Sequence, residues 1–402
     1  MKWDYVRLGD ICSKIGSGAT PKGGATVYIN KGTSLIRSQN VYNLFFLYDG
    51  LAYITENAAK ALAGVTVHNN DILINITGDS VARTCMVPDN VLPARVNQHV
   101  AIVRPDSNLM NPRFLNYYLA SPYMQSFMLG LAVGKGASRN AMTKEMIAKF
   151  DVPCPPIDVQ ESIVDILSKY DSLIENNQKQ IKLLEEAAQR LYKEWFVDFR
   201  FPGHETTPIV DGVPEGWRKT DVGHACNLLK NTVSYNRINN DTPYIGLEHI
   251  PRKDFCLSTW GDSNSVNSNK YLFKKHNIIF GKIRPYFHKV GFTIVDGIAS
   301  TDSFIMEPLP QIWGLFLLTV SSEDFVNYSY KTCKEGAKMP RADWNQMKKY
   351  SFLIANENLQ NQFENTIKGI TLKIEKLALQ NRQLIDARDR LLPKLMNGEI
   401  EV

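Results

Sequence analysis

Residues 159–191, VQESIVDILSKYDSLIENNQKQIKLLEEAAQRL, read as a long helix in the middle of a 402-residue chain. Displaced by 200 positions, residues 359–391, LQNQFENTIKGITLKIEKLALQNRQLIDARDRL, repeat it. Gln160/Gln360, Ile174/Ile374, Glu175/Glu375, Gln180/Gln380, Leu184/Leu384, Ala187/Ala387, Arg190/Arg390 and Leu191/Leu391 are identical pairs. In both segments apolar residues recur at alternating three- and four-residue steps for about four heptads, which is coiled-coil spacing. A single amphipathic helix laid on a core is the simpler alternative.

The polar exceptions decide the orientation. Parallel alignment sets Asn177 against Leu377 and Asn381 against Ile181, which buries two unpartnered amides. Antiparallel alignment sets Asn177 against Asn381, where the amides can bond each other and pin the register. The same register predicts the layers Leu167–Leu391, Ile174–Leu384, Ile181–Leu377, Leu184–Ile374, Leu191–Ile367 and Trp195–Phe363. It also predicts Arg388 over the Tyr170 ring. Pro393 is expected to disturb the last layer, Ile163–Leu395. The pattern therefore predicts an intramolecular antiparallel pair. Roughly 40 residues make a rod of ~60 Å, long enough to hold two globular blocks apart.

Outside the helices the halves share an architecture. NNDILINITGDSVARTCMV (69–87) resembles KHNIIFGKIRPYFHKVGFT (275–293). β-Branched and aromatic runs predict strands at 71–76, 100–103, 277–280 and 291–295. Helical pieces are expected near 112–129 and 311–330. The expected fold is mixed α/β (α+β), two globular blocks separated by two long helices with approximate two-fold symmetry. The expected boundaries are 1–155, 156–200, 201–356 and 357–402.

Charge follows this division. Residues 1–156 and 215–355 each carry +5, residues 157–214 carry −5, and 356–402 are neutral. Two basic blocks suggest a polyanion met at two places, with ordinary surface scatter as the alternative. The scattered cysteines form no C-x-x-C pair, which fits a reducing cytoplasm. No apolar run reaches the ~18 residues of a membrane span.

The stretches PPIDVQESIVDIL (155–167), RLYKEWFVDFRFPG (190–203), VPEGW (213–217), KIRPYFHKVG (282–291) and RLLPKLMNGEIEV (390–402) resemble the specificity subunits of type I restriction–modification systems. That resemblance covers the whole chain in order. It implies two target-recognition domains, each reading one half of a bipartite site in double-stranded DNA, with the helices as spacer. It also implies docking of two methyltransferase subunits and, in the full complex, motor-nuclease subunits. S-adenosylmethionine, ATP and magnesium are then expected in those partners and not in this chain. A two-headed scaffold whose blocks bind protein is the alternative.

The residues agree with a non-catalytic part. The one Pro-Pro, Cys154-Pro155-Pro156-Ile157, lacks the flanks of an adenine-methyltransferase loop. There is no G-x-x-x-x-G-K-[ST], no [DE]-x-K triplet and no metal-type histidine spacing. GSGATP (16–21) lacks the third glycine of a dinucleotide loop.

Base reading calls for Arg, Lys, Asn or Gln on loops and helix ends. In the first block these are Lys14, Lys22, Arg37, Ser38, Gln39, Asn40, Arg83, Lys135, Ser138, Arg139 and Asn140. In the second they are Lys230, Asn231, Arg237, His249, Arg252, Lys282, Arg284, Tyr286, His288 and Lys338. Any one of them could instead be a solvated surface side chain. Trp195, Phe196, Phe199 and Phe201 suggest either docking of a partner subunit or packing onto the neighbouring block.

Overall fold

The computed structural model describes residues 3–133, 141–333 and 338–402. They form two compact units, residues 1–172 with 384–402 (unit 1) and residues 173–383 (unit 2). The central helix, Ile157–Tyr192, contributes its first part to unit 1 and its second to unit 2; the C-terminal helix, Glu357–Met396, does the reverse. Within each unit the two helices therefore run in opposite directions.

In unit 1 a four-stranded antiparallel sheet runs in the order Thr84–Met86, Ile72–Asn75, Val100–Pro105, Cys12–Ser17. A five-stranded sheet contains Thr33–Ile36 parallel to Ala94–Val96. The run Ile72-Leu73-Ile74 is apolar throughout because both its faces are covered. Leu73 and Ile102 point into a core shared with Ile36 and Val96, while Ile72, Ile74, Ala101 and Val103 point at the helices. Unit 2 repeats this plan. Ile279 and Ile305 pack with Ile245 and Phe273, while Ile278, Phe280 and Met306 join the helix-facing core. Its larger sheet gains one parallel strand, Cys256–Leu257.

The expected helix over 112–129 is two helices, Pro112–Ala120 and Pro122–Ala132. Ser121 interrupts it, because its hydroxyl caps the second helix and Pro122 lacks the N–H to continue the first. Likewise Trp313–Val320 and Glu323–Lys331 are separated by the cap Ser322. Gly314 is required where it stands, since a Cβ there would lie 2.7 Å from Ile367 Cγ2. Pro393 does not break its helix. It sits in the last turn, with Ile163 and Leu395 fully buried in one core.

The helix pairing has the expected direction but different polar contacts. Asn177 and Asn381 are both buried, yet they do not bond each other. Asn381 Nδ2 donates to the Ile174 carbonyl at 3.3 Å, using an acceptor that keeps a spare lone pair in a helix. Arg388 does not stack on Tyr170. Its guanidinium binds Asp171 Oδ1 at 2.8 Å, and the Tyr117 hydroxyl donates to the other oxygen of that carboxylate. A charge-assisted hydrogen bond outweighs a cation–π contact at a half-buried site. Trp195 does meet Phe363, with ring centroids 5.7 Å apart.

Buried polar side chains tie the helices to the sheets. Gln160 accepts from Asn111 N–H and donates to the Leu109 and Pro155 carbonyls. In unit 2, Glu364 caps the start of Trp313–Val320 through the Gly314 and Leu315 N–H groups. Glu375 binds Lys275 and His276. Glu185 accepts the Phe255 and Cys256 N–H groups, both at 3.0 Å. Burial pushes the Glu185 carboxyl up to about 8, Asp254 adding to the push against those two bonds. No helix among the described residues is long and apolar enough to cross a membrane.

Two outcomes follow from these buried groups. Among the described residues Asn177 Nδ2 and Asn381 Oδ1 lack hydrogen-bond partners, so the double substitution Asn177→Leu/Asn381→Leu should raise stability by about 1–3 kcal/mol. A thermal melt with an unchanged or lower midpoint would contradict this. The stabilisation that protonated Glu185 provides is fully present below about 4.5 and is lost as the pH rises towards and through about 8. Glu185→Gln keeps the carbonyl acceptor and should flatten the fall in melting temperature between about pH 5 and about pH 9. Equal slopes for the two proteins would exclude this assignment.

Candidate nucleic-acid interface

Each unit carries a loop of the same construction at the end of a central strand. In unit 1 it joins Ile72–Asn75 to Thr84–Met86, and in unit 2 it joins Ile278–Gly281 to Val290–Thr293. The Asn75 N–H donates to the Arg83 carbonyl, and the Gly281 N–H to the Lys289 carbonyl, each at 2.9 Å. Gly78 and Ala82 have φ of 75° and 74°; at the matching places Arg284 and His288 have 51° and 53°. Left-handed backbone at Arg or His costs roughly 1–2 kcal/mol. Backbone bonds hold it here, Arg284 N–H to the Pro340 carbonyl and Phe287 N–H to the Arg284 carbonyl.

A 3₁₀ turn flanks each loop, at Ser38–Asn40 and Leu247–His249. Asn40 Oδ1 accepts the Arg37 N–H, and His249 Nδ1 accepts the Gly246 N–H, both at 3.0 Å. Two different side chains thus do the same work. Burial lowers the His249 pKa, which keeps Nδ1 available as an acceptor.

In unit 1 the turn and the loop border a groove of about 550 Å³. Ser38, Gln39, Tyr42, Thr77, Gly78, Asp79, Ser80, Arg83, His99 and Ala141 line it. Thr77 Oγ1 lies 2.6 Å from His99 Nδ1, and His99 Nε2 lies 3.0 Å from Gln98 Nε2. Both ring nitrogens of His99 are thereby engaged, one by Thr77 and one by Gln98.

Several expected contact residues are instead part of the scaffold. Asn40 is fully buried and donates to the Leu47 and Asp49 carbonyls. His288 is buried, donates from Nε2 to the Ser321 carbonyl at 2.8 Å, and has its pKa lowered by burial. Arg37 and Gln39 both bind the Gly50 carbonyl, although Gln39 still faces the groove. Lys14 binds the Gly64 carbonyl, and Lys282 the Thr301 carbonyl. A buried or half-buried lysine or amide takes the nearest carbonyl because an unpaired polar group costs more there than in water.

Other candidates remain available. Lys22, Lys230, Asn231, Arg237 and Lys338 are exposed. Tyr286 is exposed against Tyr330. Arg83 lies over Tyr42 at 4.4 Å and Arg252 over Phe287 at 4.2 Å. Arg284 also approaches Phe287, but its Nε is buried without a hydrogen-bond partner among the described residues. Lys135, Ser138, Arg139 and Asn140 lie outside the described residues. The sequence reading missed Tyr42, Thr77, Asp79, Ser80 and His99. The small polar run Thr77-Gly78-Asp79-Ser80 between two apolar strands was the available signal.

The aromatic cluster after the central helix packs inward. Trp217 is ringed by Phe196, Phe199 and Phe201 at 5.1, 5.9 and 4.8 Å. Phe196 and Phe201 are buried in the unit 2 core and offer no face for docking, while Trp195 and Phe199 are half-buried.

A family model described as the type I restriction modification DNA specificity domain matches residues 1–186. The MjaIX specificity subunit of Methanocaldococcus jannaschii is 24% identical, over 100% of this chain and 94% of its own. The HindI specificity subunit of Haemophilus influenzae is 21% identical over 99% of each chain. The crystal structure of a type I S subunit from M. genitalium has the same fold, with a TM-score of 0.56, 13% identity, and coverage of 98% of this chain and 96% of that one.

Because Asn40 closes the turn beside the groove with both its amide atoms, Asn40→Ala should cost about 1–3 kcal/mol. Urea unfolding of the variant measures this, and a loss below a few tenths of a kcal/mol would contradict the scaffold role.

Proposed function

The chain belongs to the specificity subunits of type I restriction–modification systems, and from that premise we propose that its two units each read one half of a split, asymmetric DNA site. As a specificity subunit it is a non-catalytic component of its complex. The observation that carries the reading is the pair of equivalent loops. Both units hold the same strand–turn–strand backbone, left-handed positions included, yet they present different side chains. A constant frame with variable contacts suits two different half-sites.

Exposed Arg and Lys near each loop supply phosphate contacts that position the duplex. The helix pair sets the spacing between half-sites and docks two methyltransferase subunits. Motor-nuclease subunits complete the restriction complex, and S-adenosylmethionine, ATP and magnesium act in those partners. On the helices, Leu183 and Leu372 are exposed apolar side chains in unit 2, and they suit docking better than the inward-facing aromatics do. The boundaries 1–155, 156–200, 201–356 and 357–402 are proposed as recognition domain, spacer, recognition domain and spacer.

The test is co-expression with the cognate methyltransferase subunit, followed by genome-wide mapping of methylated adenine. The expected result is a split motif that disappears when this chain is omitted. Methylation independent of the chain, or a continuous motif, would refute the reading.

A further inference from the structure

The unit 1 groove holds two side chains of opposite charge that leave each other unpaired. Asp79 is exposed on the loop, and among the described residues it makes no ion pair and no side-chain hydrogen bond. Arg83 lies over Tyr42 at 4.4 Å, and Tyr42 in turn stacks on Phe45 with centroids 4.8 Å apart and planes at 19°. The Tyr42 ring confines the guanidinium from one side, and among the described residues no acceptor binds its N–H groups. Resting on the DNA reading above, we propose that this groove reads one G·C base pair through its major-groove edge, with Arg83 and Asp79 as the specificity-determining residues.

The order of groups along a base-pair edge selects this ligand. Guanine offers two adjacent acceptors, N7 and O6, and its cytosine places an N4 amino donor beside them. A flat arginine edge binds the two acceptors, and a neighbouring carboxylate accepts from the amino group. In an A·T pair the adenine amino group separates the acceptors, so the arginine cannot bind two at once. A phosphate also fits badly, since the Asp79 carboxylate repels it within the same groove.

The matching loop of unit 2 strengthens the contrast. Aligning 69–87 with 275–293 places Pro285 at the position of Asp79, Tyr286 at Ser80 and Arg284 at Gly78. That loop carries no carboxylate, and its stacked arginine, Arg252, comes from the other segment and rests on Phe287. The acidic reading element therefore belongs to unit 1.

The experiment uses the complex with its methyltransferase subunit and compares wild type, Arg83→Ala and Asp79→Ala by mapping methylated adenine and by binding to site variants. The expected wild-type motif has a G·C pair in one half. Both substitutions should lower the preference for that pair about 5- to 150-fold, making this one position degenerate. The other half-site should be unchanged, which also shows that the variants fold. Arg83→Ala that keeps the motif but weakens binding to all DNA alike, with a shallower salt dependence, would make Arg83 a phosphate contact and overturn the proposal. A split motif that neither substitution alters overturns this proposal alone, and a wild-type complex without a split motif overturns the DNA reading as well.

Discussion

Neither unit can close its core without both helices, and this shared dependence on an antiparallel pair organises the protein. Unit 1 buries Ile163 and Leu167 from the start of the central helix with Leu392, Leu395 and Met396 from the end of the C-terminal one. Unit 2 buries Ala188 with Phe363, Ile367 and Ile374. The apolar stripe thus supplies the cohesion. Because unit 1 draws on residues 384–402, its core joins segments far apart in the sequence.

Polar groups add specificity to that cohesion. Gln160, Glu185, Glu364 and Glu375 each reach from a helix to backbone or charged groups of the adjoining layers. A buried carboxylate or amide tolerates little misplacement, since losing its partner leaves a desolvated group unpaired. The helices therefore hold each sheet in a defined orientation, which a smooth apolar contact would not do. The two equivalent loops gain from this, because they join strands packed against the helices.

The two loops show how one backbone carries different chemistry. Their shape is held by main-chain bonds, so the side chains are free to vary even at left-handed positions, where Gly78 and Ala82 in one unit face Arg284 and His288 in the other. This explains why the sequence repeat is clear in the helices and faint in the domains. Helix–helix layers constrain side chains, whereas loop closure constrains the chain path.

The sequence by itself determined the two helices, their opposite directions and the central strands of each block. The helices follow from a periodicity of 3.5 that sums over many residues and tolerates a local exception such as Pro393, and the strands from short β-branched and aromatic runs. Only the tertiary structure decided which polar groups meet. Asn381 bonds the Ile174 carbonyl and not Asn177, and Arg388 bonds Asp171 and not Tyr170. It likewise separated the scaffold residues Asn40 and His288 from the available Arg83, and assembled a groove from residues 38, 39, 42, 77–80, 83, 99 and 141. The physical reason is range. A hydrophobic pattern is read along the chain, but a hydrogen bond is settled within about 0.5 Å between groups that only folding brings together.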